Sequence, residues 1–230
     1  MAKLSDRLMA IYRLIPNGAR VADIGTDHAA IPIALLETAK SPFIIASDVR
    51  KGPLFSAQEQ IELADLDNPQ QIELRLGSGL SVLQEDDDID TIVMAGMGGE
   101  LIAKLIEKIP TFLADSLLIL QANNEEGMVR EVIIQQKRTI TDEKIIQEGR
   151  HFYEIIVSCA AGKPKTLTNR QMKFGPFLLE QNSDVFRLKW QKKRKHLANI
   201  KKILEESKQQ GSLRYDSLQE EIKEIDEVLM

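Results

Sequence analysis

From residue 20 to about residue 160, short β-branched runs alternate with segments of helical character, which confines the chain to a mostly parallel sheet wrapped by helices. The spacing predicts strands at Val21–Ile24, Phe43–Ser47, Ile72–Leu76, Thr91–Met94 and Leu117–Gln121. Helices are expected at Ala29–Ala39, Pro53–Ala64, Gly99–Ile109 and Glu125–Lys137, with Pro53 in a first turn, where a missing N–H costs little. No helix-sized segment separates Glu143–Gln147 from Phe152–Ala160, so these two runs should pair as an antiparallel hairpin at the sheet edge.

Glycine and proline break the pattern at 161–165 and again at Phe174-Gly-Pro176, and a second domain is expected to begin there. We therefore read residues 1–162 as an α/β domain and 163–230 as a helical one. In the latter, Leu197, Ile200 and Leu204 recur at spacings of three and four, as do Leu218, Ile222, Ile225 and Leu229. Two long helices packed as an antiparallel coiled pair, joined near 209–212, follow from that pattern.

The 230 residues are enough for a well-packed domain plus a smaller appendage. No run reaches the roughly 18 to 20 apolar residues of a membrane span. Lys3, Asp6, Arg7 and Arg13 interrupt the N-terminal apolar residues, so a signal-peptide core is not expected and the chain reads as cytoplasmic. Cys159 is the single cysteine, in an apolar run, and reads as a buried small hydrophobe. His28, His151 and His196 are far apart with no partners at metal-ligand spacing, so no metal is expected. The net charge of −5 averages over an uneven distribution. Acids gather at 84–90, whereas Arg187, Lys189, Lys192, Lys193, Arg194 and Lys195 form a basic run suited to a phosphate backbone. Trp190, inside that run, is equally readable as core or as a stacking platform.

Chemistry concentrates at the predicted carboxyl ends of the strands. The first strand ends in Asp23-Ile-Gly-Thr-Asp-His28, a glycine turn between acids, and the second ends in Asp48. A carboxylate about 20 residues after such a turn is how Rossmann-type sheets bind ribose hydroxyls. Gly25 stands where a dinucleotide fingerprint has three glycines, which favours S-adenosylmethionine over a nicotinamide dinucleotide. Asp23 and Asp27 would suit the ammonium of a methionine moiety.

Gly77, Ser78, Gly79 and Leu80 after the third strand would lie beside an adenine, with Leu80 packing on its face. Ala95, Gly96 and Met97, within Ala95-Gly-Met-Gly-Gly99, clear space at the end of the fourth strand, and Gln121-Ala-Asn-Asn124 brings amides to the same rim. Five strands plus a hairpin pair fit the seven-stranded, Rossmann-like sheet of class I methyltransferases better than a six-stranded dehydrogenase sheet.

Taken in order, Asp23-Ile-Gly-Thr-Asp-His28, Ser47-Asp48, Gly77-Ser-Gly-Leu80, Ala95-Gly-Met-Gly-Gly-Glu-Leu-Ile102 and Tyr153-Glu-Ile155 resemble the bacterial tRNA (adenine-22-N1)-methyltransferase family over nearly the whole chain. The resemblance implies an S-adenosylmethionine domain followed by a coiled-coil domain, methylating N1 of a tRNA adenine. Two positions depart from it: Ala122 stands where proline is commoner, and Ser78 where an acid is common.

Neutral adenine N1 carries a lone pair, so transfer needs alignment more than a general base. Asp27, Gln121 and Asn123 are the candidates for stabilising the charge that develops, and Met97 or Tyr153 for stacking on an exposed or flipped base. Competing readings are a methyltransferase acting on a small molecule or protein, and a non-catalytic RNA-binding protein on the same fold. The oligomeric state is left open by the sequence.

Overall fold

The computed structural model describes residues 4–160, 166–207 and 210–230. The chain divides into two compact units, Met1–Phe177 and Leu178–Met230. The break read at 161–165, the domain edge at 162/163 and residue 209 of the expected interhelical turn lie outside the described residues.

The first unit is a seven-stranded sheet in the order β3-β2-β1-β4-β5-β7-β6. Its strands are β1 (Arg20–Ile24), β2 (Phe43–Asp48), β3 (Ile72–Leu76), β4 (Thr91–Met97), β5 (Leu117–Ala122), β6 (Thr139–Glu148) and β7 (His151–Cys159). The first five pair in parallel, while β7 runs antiparallel to β5 and to β6 in the expected edge hairpin. Central strands such as β1 and β2 are buried almost end to end, which is why they read as continuous apolar runs rather than alternating ones.

Helices cover both faces. Helices α4 (Gly99–Glu107) and α5 (Glu126–Gln135) pack Ile102, Ile106, Val129 and Ile133 against one face. On the other, α1 (Asp6–Leu14), α2 (Ala30–Glu37) and α3 (Lys51–Leu63) bury Ile11, Ile31, Leu35 and Ile61. Helix α1 is absent from the sequence reading, although Ser5 caps it by accepting from Leu8 N–H and its apolar Leu8, Ile11 and Ile15 follow at spacings of three and four. Cys159, expected to be buried, is only partly covered at the end of β7.

The first unit extends past residue 162 because α6 (Asn169–Phe174) is held in it. Arg130 of α5, fully buried, donates to Glu143 (2.7 Å), Glu154 (2.5 Å) and the Met172 carbonyl (3.1 Å). Glu143 also accepts from the Phe177 N–H at 2.9 Å. This buried cluster ties the edge hairpin, α5 and the segment after the sheet into one body. Short helix α7 (Pro176–Gln181) crosses the boundary between the units.

The second unit is the expected antiparallel helical pair, α8 (Asp184–Glu206) and α9 (Leu213–Leu229). Phe186, Trp190, Leu197 and Leu204 are buried with Leu218, Ile225 and Val228. Opposite ends meet as antiparallel packing demands: Arg187 donates to the Leu229 carbonyl, and near the turn Tyr215 donates to Glu205.

Candidate functional site

Because β1 lies between β2 and β4, chain direction across the sheet reverses beside it, and a crevice opens outside the carboxyl ends of these strands. Two adjoining cavities fill that crevice, of about 370 and 380 Å³, sharing Gly25, Asp48, Arg50, Ala95 and Gly96. Asp23, Thr26, Asp27, Asn123, Tyr153 and Arg7 also line the first. The second is bounded by Gly77, Ser78 and Gly79 on one side and by Met97, Leu101 and Leu105 on another.

The β1 turn is tied to β2, since the N–H groups of Gly25 and Thr26 both donate to the Ser47 carbonyl, at 2.7 and 2.8 Å. Gly25 has φ +77°, a conformation that a side chain would strain. His28 and Ala29 follow at φ +54° and +52°, two successive left-handed residues without glycine's freedom, and strain of this kind gathers at binding sites. Burial pushes the Asp23 carboxyl up to about 6; nearby Asp27 adds to the rise, while the Thr26 hydroxyl opposes it. Asp27 is highly exposed and contacts His28 at 3.3 Å. His28 itself lies outside the lining of both cavities.

Asp48 ends β2 and is 8% exposed, its Oδ1 accepting from the Arg50 N–H at 2.7 Å. It therefore sits where the two cavities join, held by the turn that opens α3. Among the described residues, no group of three or more His, Cys, Asp or Glu side chains is arranged to hold a metal ion, and no helix is long and apolar enough to cross a membrane.

At the end of β4 the pairing with β5 shifts register between Ala95 and Met97, and Gly96, at φ +74°, bulges toward the cavities. Two amides clamp its backbone. Gln121 Oε1 accepts from the Gly96 N–H at 3.1 Å, and Asn123 Nδ2 donates to the Gly96 carbonyl at 2.8 Å. Gln121 Nε2 donates to Asn123 Oδ1 at 3.1 Å, closing the clamp. Gln121 is fully buried and lines neither cavity, so the structure gives this expected catalytic group a bracing position beneath the site.

Other expected positions also shift. Leu80 is not at the cavity wall: the 3-10 turn over Gly79–Val82 carries it into the core with Ile102, and Leu101 and Leu105 of α4 supply the apolar wall instead. Of the basic run, Arg194 pairs with Asp226, Lys193 lies 3.9 Å from Glu221, and Arg187 is engaged at the end of α9. Lys192 and Lys195 are exposed, and Lys189 lies over the Trp190 ring, which is itself buried in the helical pair. Arg7 was missed altogether, because a lone arginine on an N-terminal helix carries no motif; only the spacing of α1 could have flagged it.

The profile of the tRNA (adenine(22)-N(1))-methyltransferase family matches residues 21–227. The tRNA (adenine(22)-N(1))-methyltransferase of Bacillus subtilis (strain 168) is 36% identical over 203 residues, spanning 86% of this chain and 84% of that protein. The crystal structure of the B. subtilis m1A22 tRNA methyltransferase superposes with a TM-score of 0.87 at 32% identity, covering 100% of both chains. A Streptococcus pneumoniae protein crystallised in complex with S-adenosyl-L-methionine superposes at 0.88 with 37% identity, covering 99% of this chain and 100% of that one.

Proposed function

The chain belongs to the tRNA (adenine(22)-N(1))-methyltransferase family, and from that premise we propose that it transfers a methyl group from S-adenosyl-L-methionine to N1 of adenine 22 in tRNA. One observation carries the reading at the level of this chain's own atoms: Asp48 closes β2 at the junction of two cavities whose walls are kept open by Gly25, Gly79 and Gly96 at positive φ. A tRNA substrate implies action in the cytoplasm.

The residues fit the cofactor. Asp48 offers a carboxylate for ribose hydroxyls, and Asp23 and Asp27 offer negative charge for an ammonium group. Met97, Leu101 and Leu105 offer an apolar wall for an adenine ring, with Ser78 as a polar neighbour. The bound cofactor supplies an electrophilic sulfonium methyl.

What this chain contributes is alignment. The Gln121–Asn123 clamp fixes the Gly96 bulge, so the backbone bordering the target base is held before the substrate arrives. Gln121 acts as a positioning residue, and Asn123, which lines the first cavity, carries that rigidity to its wall. Asp27 is the carboxylate we assign to the exocyclic amine, where its charge stabilises the ring as it becomes cationic. Base-paired adenine N1 is covered, so the target must be unpaired or flipped, and Tyr153 is the ring we assign to it. On the helical pair, Lys192 and Lys195 contact the tRNA backbone.

The test is methyl transfer from labelled S-adenosylmethionine to unmodified tRNA transcripts, with wild type beside Asp48→Ala and the modified nucleoside identified by mass. The expected product is 1-methyladenosine at position 22, with most of it lost in the variant. Wild type that binds the cofactor but labels no tRNA would overturn the substrate assignment.

A further inference from the structure

Helix α1 lies outside the alternating strand and helix units, yet it delivers Arg7 to the wall of the first cavity. Its backbone is anchored: the Arg7 N–H donates to Glu148 at 3.0 Å, and Ile11 and Ile15 bury the apolar side of the segment. The side chain is anchored too. Nη1 donates at 2.6 Å to Oε1 of Gln121, the same oxygen that holds the Gly96 N–H, and the guanidinium carbon lies 5.1 Å from the centroid of the Tyr153 ring.

These side-chain partners are neutral. Arg50 and Arg75 each face carboxylates, and Arg130 faces two, whereas no ion pair among the described residues involves the Arg7 guanidinium. The Glu148 carboxylate that accepts from the Arg7 N–H also feels the Arg7 charge, but the guanidinium itself is held half-buried against an amide and a ring, at a cost in desolvation. The same cavity is also lined by Asp23 and Asp27. A cation and carboxylates lining one cavity match a ligand that carries both charges, and a planar guanidinium fork is suited to two oxygens of one oxyanion.

We infer that Arg7 is an oxyanion-binding residue of the first cavity, oriented by Gln121 and Tyr153 to take a carboxylate or phosphate group. The inference rests on the function proposed above, which supplies two sources of that chemistry: the amino-acid carboxylate of the cofactor, and a backbone phosphate beside the target nucleotide. Either use makes Arg7 a positioning residue, coupled through Gln121 to the Gly96 bulge.

The experiment compares full-length wild type, Arg7→Ala and Arg7→Lys. Calorimetry measures binding of S-adenosylhomocysteine and of 5′-methylthioadenosine, which lacks the amino-acid portion; steady-state transfer measures the KM for tRNA against salt. If the oxyanion is the cofactor's, Arg7→Ala weakens S-adenosylhomocysteine about tenfold or more and leaves 5′-methylthioadenosine within twofold. If it is RNA phosphate, cofactor binding holds, the KM for tRNA rises about tenfold and the salt slope falls by about one. Arg7→Lys, which keeps the charge and loses the fork, should fall between wild type and alanine in whichever arm responds. Equal loss of both small ligands, or no change beyond twofold in any arm, overturns the assignment. Wild type that binds no S-adenosylhomocysteine and methylates no tRNA overturns the parent reading and this one with it, whereas an active wild type matched by Arg7→Ala overturns this one alone.

Discussion

A Cβ placed on Gly25 would collide with the terminal methyl of Met97, so the turn after β1 and the end of β4 meet at the wall of the second cavity. The Met97 methyl is the free end of a flexible side chain and can move aside. The backbone at φ +77° cannot relax so cheaply, and an L residue there is strained by about 1–2 kcal/mol. Gly25→Ala should therefore lower stability by about that amount and weaken S-adenosylhomocysteine binding, as Met97 is driven into the cavity. Adding Met97→Ala should recover binding but not stability, in paired calorimetric and denaturant titrations. Equal affinity in the single and double variants would show that the collision is irrelevant.

Asp23 gives a prediction in pH. Its folded pKa is raised from 3.8 to about 6, so between those values the folded chain holds a proton that the unfolded chain has released. Its contribution to stability therefore falls as pH rises from about 4 to 6. Above that window the ionised carboxylate is carried at a cost of about 3 kcal/mol. Asp23→Asn should raise the Tm at pH 8, with a smaller gain below pH 5, while weakening the cationic cofactor. Wild-type cofactor affinity should itself decline as pH drops through 6. An affinity that stays flat from pH 5 to 8 would remove Asp23 from the ammonium site.

The buried cluster around Arg130 should show a pH dependence of the same sense once its cation is removed. Arg130→Met leaves Glu143 and Glu154 facing each other without a countercharge, and breaking such a buried group costs about 3–5 kcal/mol. Burial already pushes the Glu143 carboxyl up, and losing Arg130 removes the chief opposing influence. The deficit in denaturant unfolding should shrink as pH falls and the carboxylates protonate. A deficit independent of pH would mean that lost packing, rather than stranded charge, is responsible.

The parts visible in the sequence were those fixed by local pattern. The strand runs and the glycine turns after β1, β3 and β4 are contiguous in the chain, and so is the heptad-like spacing of α8. What the sequence concealed depends on contacts between distant residues. Arg7 and Gln121 are 114 positions apart, and neither reveals from its neighbours that one will brace the other. Glu143 and Glu154 look like solvent-facing positions of an edge hairpin until α5 brings Arg130 over them. Leu80 sits in a glycine-rich turn that suggests exposure, yet the 3-10 geometry rotates it into the core.

The basic run of α8 sets the last prediction. Arg194 and Lys193 face acids of α9, so their charge is already directed within the helical pair. Lys192 and Lys195 lie exposed on the same helix and are the positions assigned to RNA phosphate. Lys192→Glu with Lys195→Glu should raise the KM for tRNA about tenfold and flatten its salt dependence by about two contacts, leaving S-adenosylhomocysteine affinity unchanged. Arg194→Ala should instead lower the Tm slightly with a smaller effect on KM, because what it loses is a pair with Asp226. If the two variants shift the KM alike, the phosphate contacts are spread over the whole run; if neither shifts it, tRNA is held elsewhere on the molecule and α8 serves the helical pair alone.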